Sequence, residues 1–173
     1  MPDATGLELL AHRVRDAVGE EAVVDARHAR GQATLEVRPA ALHDVLAHLR
    51  SRDEEPWPQL MSVHGCDYLP EEPRLGVHYQ LLSMERLDRL NVKTRMGVDD
   101  PRLPTAVDLY PAAEFQEREV YDMFGVVFEG HPDLRRILMP EDYVGHPQRR
   151  DFPIGGEPVL YTFNEHELPR WYD

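Results

Sequence analysis

The chain has 173 residues, which fits one domain or one domain with an ordered tail. With 42% hydrophobic and 29% charged residues its composition is globular, and no apolar run approaches the ~20 residues that a membrane helix needs. The net charge of −13 disfavours nucleic acid and anionic lipid surfaces as partners, because neutralising phosphates requires a basic face.

The first fifty residues predict two amphipathic helices with a hairpin between them. Apolar residues at helical spacing predict a helix over residues 7–18, and Gly19 is a natural stop. The same spacing after Pro39 predicts a second helix over residues 40–51. Two short β-like runs with a turn at Arg30-Gly31 predict the hairpin, at residues 22–25 and 33–37.

Three longer strand-like runs follow a polar, proline-broken stretch at 51–58, near residues 59–66, 76–83 and 89–96. They mix β-branched, aromatic and polar residues, as expected for strands with one face packed on helices. The first hundred residues therefore predict an α+β fold, a two-layer domain with a mostly antiparallel sheet and two helices.

The last third of the chain predicts a third helix and then an extended tail. A strand-like run at 105–109 leads to Pro111, which can open a helix over residues 111–124 that stops at Gly125. Closely spaced prolines beyond it leave little room for regular structure, and many aromatic residues predict an ordered tail that packs on a partner. We therefore expect a domain over 1–125 and a partner-docking segment and tail over 126–173.

The densest chemistry lies in EREVYDMFGVVFEGHPDLRRILMPEDYVGHPQRRDFP, residues 117–153. This stretch is too polar for a core, so we expect a surface fixed against another molecule. On the helix, Glu114, Arg118 and Asp122 fall four residues apart, which places one arginine between two carboxylates. Glu117 and Glu119 point elsewhere and are free to meet arginines or backbone amides of the following loop, and the candidate arginines are Arg135, Arg136, Arg149 and Arg150.

Two catalytic alternatives compete with a docking surface. An oxygen and nitrogen metal site could draw on Glu117, Glu119, Asp122, His131 and His146, but residues two apart do not share a helix face and the arginines compete for the carboxylates. Either histidine could act with a carboxylate as a general acid or base. A histidine before proline more simply shapes a turn, because proline restricts the preceding residue to extended conformations.

The single Cys66 excludes a disulfide framework, and an iron–sulfur cluster normally needs four thiolates. Neither a G-x-G-x-x-G nor a Walker A loop is present, so a dinucleotide or nucleotide site is unsupported. The N-terminus, MPDATGLELL, resembles neither a secretion signal nor an organelle presequence, and we expect a cytoplasmic protein.

From Glu117 onward the residues follow a long composite pattern: E-R-E, Asp122 after two residues, two hydrophobic residues, His131 after six more, Arg135 after three, then Ile137-Leu138. This pattern closely resembles the signature of the C subunit (30 kDa subunit) family of respiratory complex I, the proton-pumping NADH:quinone oxidoreductase. The run GHPQRRDFP at 145–153 resembles the second motif of that family. A weaker resemblance extends back over CDYLPEEPRLGVHYQLLS at 66–83.

The resemblance implies a peripheral-arm subunit on the cytoplasmic side of the bacterial membrane, with no redox centre or catalytic residue of its own. FMN, iron–sulfur clusters and quinone would belong to partner subunits, chiefly the D (49 kDa) subunit and the quinone-proximal iron–sulfur B subunit. The alternatives are the equivalent subunit of a related membrane hydrogenase or F420- or ferredoxin-linked complex and, more distantly, a metal-dependent hydrolase. The partner-interface candidates are Glu114, Glu117, Arg118, Glu119, Asp122, His131, Arg135, Arg136, His146, Arg149, Arg150, Asp151 and Phe152.

Overall fold

The computed structural model describes residues 3–51 and 56–153. Its helices are α1 (Ala4–Val18), α2 (Leu42–Ser51) and α3 (Ala113–Phe124). Its strands are β1 (Val23–Ala29), β2 (Gln32–Val37), β3 (Gln59–Asp67), β4 (Leu75–Ser83), β5 (Asp88–Met96), β6 (Arg102–Pro104) and β7 (Val127–Glu129). The predicted tail beyond residue 153 lies outside the described residues. None of the three helices is long and apolar enough to cross a membrane.

A five-stranded sheet in the order β1-β2-β5-β4-β3 forms the centre of the fold. Only the β2–β5 pair of this sheet is parallel, and the other three pairs are antiparallel. Helix α1 packs on β1, β2 and α2, and the apolar faces of these elements share one hydrophobic core. The predicted α+β class, with a mostly antiparallel sheet and helices on one face, is confirmed.

Local signals account for the ends of the first elements. The Asp3 side chain accepts a hydrogen bond from the Gly6 amide at 2.7 Å, so α1 begins three residues before the predicted start. The β1–β2 turn places Arg30 and Gly31 at positive φ, as a tight hairpin requires. A short 3₁₀ turn over Pro39–Ala41 leads into α2, in agreement with the predicted second helix.

The strand predicted at residues 105–109 is wrong. Those residues form a turn, and the strand lies just before them, where β6 pairs in parallel with β7. The backbone amide of Ala106 bonds the side chain of Glu117 instead of a neighbouring strand, and the Ala106 carbonyl accepts from Tyr110. The buried Glu117 side chain therefore takes the place of a hydrogen bond between strands. The alternation of apolar residues in the sequence does not reveal this.

Helix α3 lies along β3, the last strand of the sheet. The Gln116 side chain accepts the Val63 amide, so the helix covers backbone that an edge strand would otherwise expose. The chain after Gly125 then returns to the same domain, because β7 pairs with β6. The division at residue 125 remains a prediction.

Candidate functional site

Helix α3 buries three of its charged residues, Glu117, Arg118 and Asp122, of which the two acids are fully buried. The expectation that this stretch is too polar to be core is therefore wrong for the helix. A buried charge is costly unless hydrogen bonds and opposite charges compensate it. The partners of these side chains consequently determine how the two recognised motifs are arranged.

Asp122 organises the loop that follows the first Gly-His-Pro triplet. One carboxylate oxygen accepts the backbone amides of Ile137, Leu138 and Met139 at 2.8–3.0 Å, and the other accepts from Arg136 at 2.5 Å. Burial alone would raise the pKa of Asp122, but these hydrogen bonds lower it below its ordinary value. The carboxylate thus stays ionised and holds the backbone of residues 137–139 in place.

The three charged residues of the predicted stripe do lie on α3, but the pairing of Arg118 with the carboxylates of Glu114 and Asp122 is wrong. Arg118 donates to the backbone carbonyls of Arg135 and Arg136 at 3.2 Å and lies 3.8 Å from the carboxylate of Asp133. Because the loop folds over the helix, its backbone carbonyls accept hydrogen bonds from Arg118 and its backbone amides donate hydrogen bonds to Asp122. An ion pair between exposed side chains on a helix surface stabilises the helix by only a few tenths of a kcal/mol, so it does not outweigh these hydrogen bonds.

His131 and His146, one from each Gly-His-Pro triplet, both bond backbone carbonyls of α3. His131 Nε2 lies 3.0 Å from the Glu114 carbonyl, and its Nδ1 accepts the amide of Asp133. His146 Nδ1 lies 3.0 Å from the Asp122 carbonyl, and burial lowers the pKa of His146. Both rings therefore attach loops to the helix, which agrees with the turn-shaping role.

The residues just after the second triplet cap the C-terminus of α3, where helix carbonyls lack intrahelical partners. The Gln148 amide donates to the Met123 carbonyl at 3.2 Å, and Arg149 donates to the Phe124 carbonyl at 2.7 Å. A cation in this position also complements the helix dipole. The next residue, Gly125, has a φ of +77°, and a Cβ there would lie 2.5 Å from Arg149, so only glycine fits without strain.

A charge network joins the second motif to the β3–β4 connection, and in it the side chains of Arg74 and Asp67 are buried while that of Asp151 is exposed. Arg74 contacts the carboxylates of Asp67 and Asp151 at 2.6–2.9 Å. Asp67 also accepts the backbone amides of Leu69 and Arg150, and the hydrogen bonds from Arg74 are the main reason that its pKa lies far below the usual range. Sequence reasoning did not select Asp67 or Arg74, although the weaker resemblance at 66–83 covers both.

Among the described residues Glu117 bonds neither an arginine nor a backbone amide of the following loop, so the partners predicted for it are wrong. Its carboxyl accepts from the Ala106 amide at 2.8 Å, the Thr105 hydroxyl at 2.5 Å and the Tyr79 hydroxyl at 3.4 Å. Burial raises the pKa of Glu117 to about 7 despite these hydrogen bonds. The helix turns this residue toward the sheet, away from the arginines of the motif loops.

The remaining candidates lie nearer the surface. Arg135 is exposed and pairs with Asp133 at 2.9 Å, and Phe152 is half-buried with its ring stacked on that of Tyr143. Glu119 is exposed. Large apolar side chains are also exposed around the first motif, namely Phe115, Ile137, Leu138 and Val144.

Residues 3–51 and 56–153 contain no group of three His, Cys, Asp or Glu side chains that could hold a metal. A cleft of about 550 Å³ lies on the outer face of the sheet, away from both motifs. Its polar side chains bond one another, including Lys93 with Glu36 and Asn91 with His78. Chemically, the charged side chains of the motif region can hold two loops in place on the helix.

Comparison with known proteins finds one family. The sequence model for "Respiratory-chain NADH dehydrogenase, 30 Kd subunit" matches residues 35–158. The C subunit of NADH-quinone oxidoreductase from Saccharopolyspora erythraea is 46% identical over 91% of this chain and 63% of its own length. The C subunit from Salinispora arenicola is 47% identical over 82% of this chain and 57% of its own length. The C subunit from Roseiflexus castenholzii is 43% identical over 86% of this chain and 85% of its own length. The chain therefore spans less than two thirds of the length of the first two relatives.

Two solved structures share the fold. A trypsin-resistant fragment of Nqo5 (1–134) superposes with a TM-score of 0.61 and 33% identity, over 74% of this chain and 98% of the fragment. A chain of the membrane-bound sulfane sulfur reductase, an archaeal respiratory membrane complex, superposes with a TM-score of 0.69 and 26% identity, over 96% of this chain and 94% of that one.

Proposed function

Because the chain belongs to the family of the respiratory-chain NADH dehydrogenase 30 Kd subunit, we propose that it is a non-redox structural subunit in the peripheral arm of a proton-translocating NADH:quinone oxidoreductase. FMN, iron–sulfur clusters and quinone are held by neighbouring subunits, which carry the electrons. The subunit lies on the cytoplasmic side of the bacterial membrane and contacts chiefly the D (49 kDa) and B subunits. Its similarity to the C subunits of this enzyme from other bacteria supports the proposal.

One observation supports docking most directly: most charges of the motif region bond within the chain, while apolar side chains remain exposed. Asp122 fixes the backbone at residues 137–139, yet Ile137 and Leu138 are 38% and 60% exposed. A surface that is already ordered before binding loses less conformational entropy when a partner covers it. We therefore assign the exposed pair Ile137 and Leu138 to an interface with a neighbouring subunit.

The mechanism that follows is positional. The hydrogen bonds of Asp122 and the network around Arg74 tie the two motif loops to the domain at separate places. A neighbouring subunit that packs on both loops is thereby held at one orientation. Electron transfer depends on fixed distances between redox centres, so a rigid subunit of this kind acts by keeping its neighbours in register.

The alternative assignment is to a related membrane hydrogenase or F420- or ferredoxin-linked complex, and the chain also resembles, at 26% identity, a chain of an archaeal respiratory membrane complex that is not named as an NADH-quinone oxidoreductase. The higher identity to C subunits of NADH-quinone oxidoreductases favours the NADH-linked enzyme. The proteins that accompany the chain distinguish the two. A flavin protein that binds NADH identifies the first complex, and its absence from an otherwise intact complex identifies the second.

The test is co-purification of the tagged full-length chain from detergent-solubilised membranes of its own host, followed by mass spectrometry. We expect iron–sulfur subunits in the wild-type preparation, and Leu138→Glu should reduce their yield about ten-fold, because a charge enters an apolar contact. Leu9→Glu is the matched control, since Leu9 is 55% exposed on α1. Equal yields from the two variants would contradict the assigned surface, and a wild-type chain without iron–sulfur subunits would contradict the function.

A further inference from the structure

A small notch of about 50 Å³ lies where β3, α3 and the loop of the second Gly-His-Pro triplet meet. Buried Val120, Met123 and Phe124 contribute to its lining together with His64, Glu119 and Gln148, and more of its accessible surface is polar than apolar. Small-molecule pockets have volumes of about 300–1,000 Å³. The notch therefore fits the end of one side chain and not a cofactor.

The walls of the notch are held on three sides. A Cβ at Gly65 would overlap the Phe124 ring, so strand and helix approach each other as closely as glycine permits. The Gln116 side chain accepts a hydrogen bond from the Val63 backbone amide, and the backbone amide of Gln148 donates to the Met123 carbonyl at 3.2 Å. These contacts shape the notch within the chain, before any partner arrives.

The charged side chain at the notch, the Glu119 carboxylate, can only accept hydrogen bonds. Within the described ranges, the Glu119 carboxylate has no hydrogen-bond or ion-pair partner, unlike the two buried acids of the same helix. The His64 ring stacks on that of His78 with centroids 5.0 Å apart, and partial burial lowers the pKa of His64, so this residue brings no positive charge to the notch at neutral pH. Among the residues that the structure describes, no lysine or arginine lines the notch, and the nearby Arg149 already donates to the Phe124 carbonyl.

We propose that the notch receives a basic side chain, lysine or arginine, from the neighbouring subunit. The cation pairs with Glu119, while its aliphatic stem packs against Val120, Met123 and Phe124, in the way that long basic side chains commonly combine apolar and ionic contacts. The net charge of −13 attracts a basic partner surface at longer range. This inference rests on the proposed docking function and specifies the chemistry of one contact in it.

Charge reversal tests the contact in the complete complex. Glu119→Arg should lower the amount of chain recovered with iron–sulfur subunits about ten-fold, and Glu119→Gln about three-fold, because the partner cation then lacks its counterion. Glu8→Arg is the control, since it makes the same charge change at an exposed site on α1. Both Glu119 variants should keep the melting temperature of the free chain. Recovery of Glu119→Arg equal to that of Glu8→Arg would overturn the inference.

The identity of the occupant is tested by a photoreactive residue at Gln148. Cross-linking in membranes should join this position to a peptide of another subunit that contains lysine or arginine, and changing that residue to glutamate should restore assembly of Glu119→Arg. Cross-links confined to this chain, or to a peptide without a basic residue, would overturn the inference. If Leu138→Glu abolishes assembly while Glu119→Arg does not, the notch inference fails and the proposed function stands.

Discussion

Glu117→Gln replaces the fully buried carboxyl of α3 with a neutral group of the same shape. In the folded chain burial raises the pKa of Glu117 from 4.5 to about 7. Below about pH 4.5 both folded and unfolded chains hold the proton. Between pH 4.5 and 7 only the folded chain keeps it, so the stability contributed by the neutral acid is lost as pH rises. Above pH 7 the loss is complete.

The size of the effect follows from the shift. One pH unit corresponds to about 1.4 kcal/mol, so this group lowers the free energy of unfolding by about 3 kcal/mol between pH 4.5 and pH 8. Glutamine carries no such charge, retains an acceptor for the Ala106 amide and can donate to the Thr105 hydroxyl. We expect Glu117→Gln to match the wild type near pH 4.5 and to exceed it by about 3 kcal/mol at pH 8.

Urea unfolding of the full-length chain between pH 4.5 and 8.5 measures this difference at each pH. Glu114→Gln is the control on the same helix, because it makes the same substitution at a side chain that is only half-buried. A Glu117→Gln difference that stays constant across the range, or that favours the wild type at pH 8, would refute the reasoning. The three donors would then stabilise the ionised carboxylate more than burial destabilises it.

Two further predictions concern the networks that hold the motif loops. Arg74→Met should lower the free energy of unfolding by about 3–5 kcal/mol, because it leaves the buried Asp67 side chain without its counterion. Urea unfolding measures this loss, and a loss below about 1 kcal/mol would show that the network does not stabilise the fold. Asp122→Asn should expose the following loop to trypsin at Arg135 and Arg136, at a cleavage rate about ten-fold higher, because an amide cannot accept all four hydrogen bonds. Unchanged cleavage, followed by mass spectrometry, would show that Asp122 does not hold the loop.

Much of the fold could be predicted because it depends on local periodicity. The apolar spacing of α1 and α2 and the strand-like runs of β3, β4 and β5 are repeated signals over nine or more residues each. The failure at residues 105–109 has a different cause. The backbone amide of Ala106 donates to Glu117, which lies eleven residues further along the chain and belongs to a helix, so neither strand propensity nor the apolar pattern relates the two residues.

The site shows the same division. Sequence alone selected Asp122, Arg136 and both triplet histidines, because charged and turn-forming residues are concentrated there in a recognisable order. It assigned the wrong partners to Arg118 and Glu117, because helix spacing describes which residues share a face but not which loop covers that face. It did not select Arg74, whose Asp151 partner lies seventy-seven positions away.

The sequence by itself therefore determined the family, the α+β class and the residues that the two motifs require, since all of these follow from residue order. Only the tertiary structure decided that most motif charges bond within the chain, while Ile137, Leu138 and Glu119 stay accessible. The physical reason is burial. Whether a carboxylate is costly, neutralised or available to a partner depends on the atoms around it, and chain folding brings those atoms from distant positions.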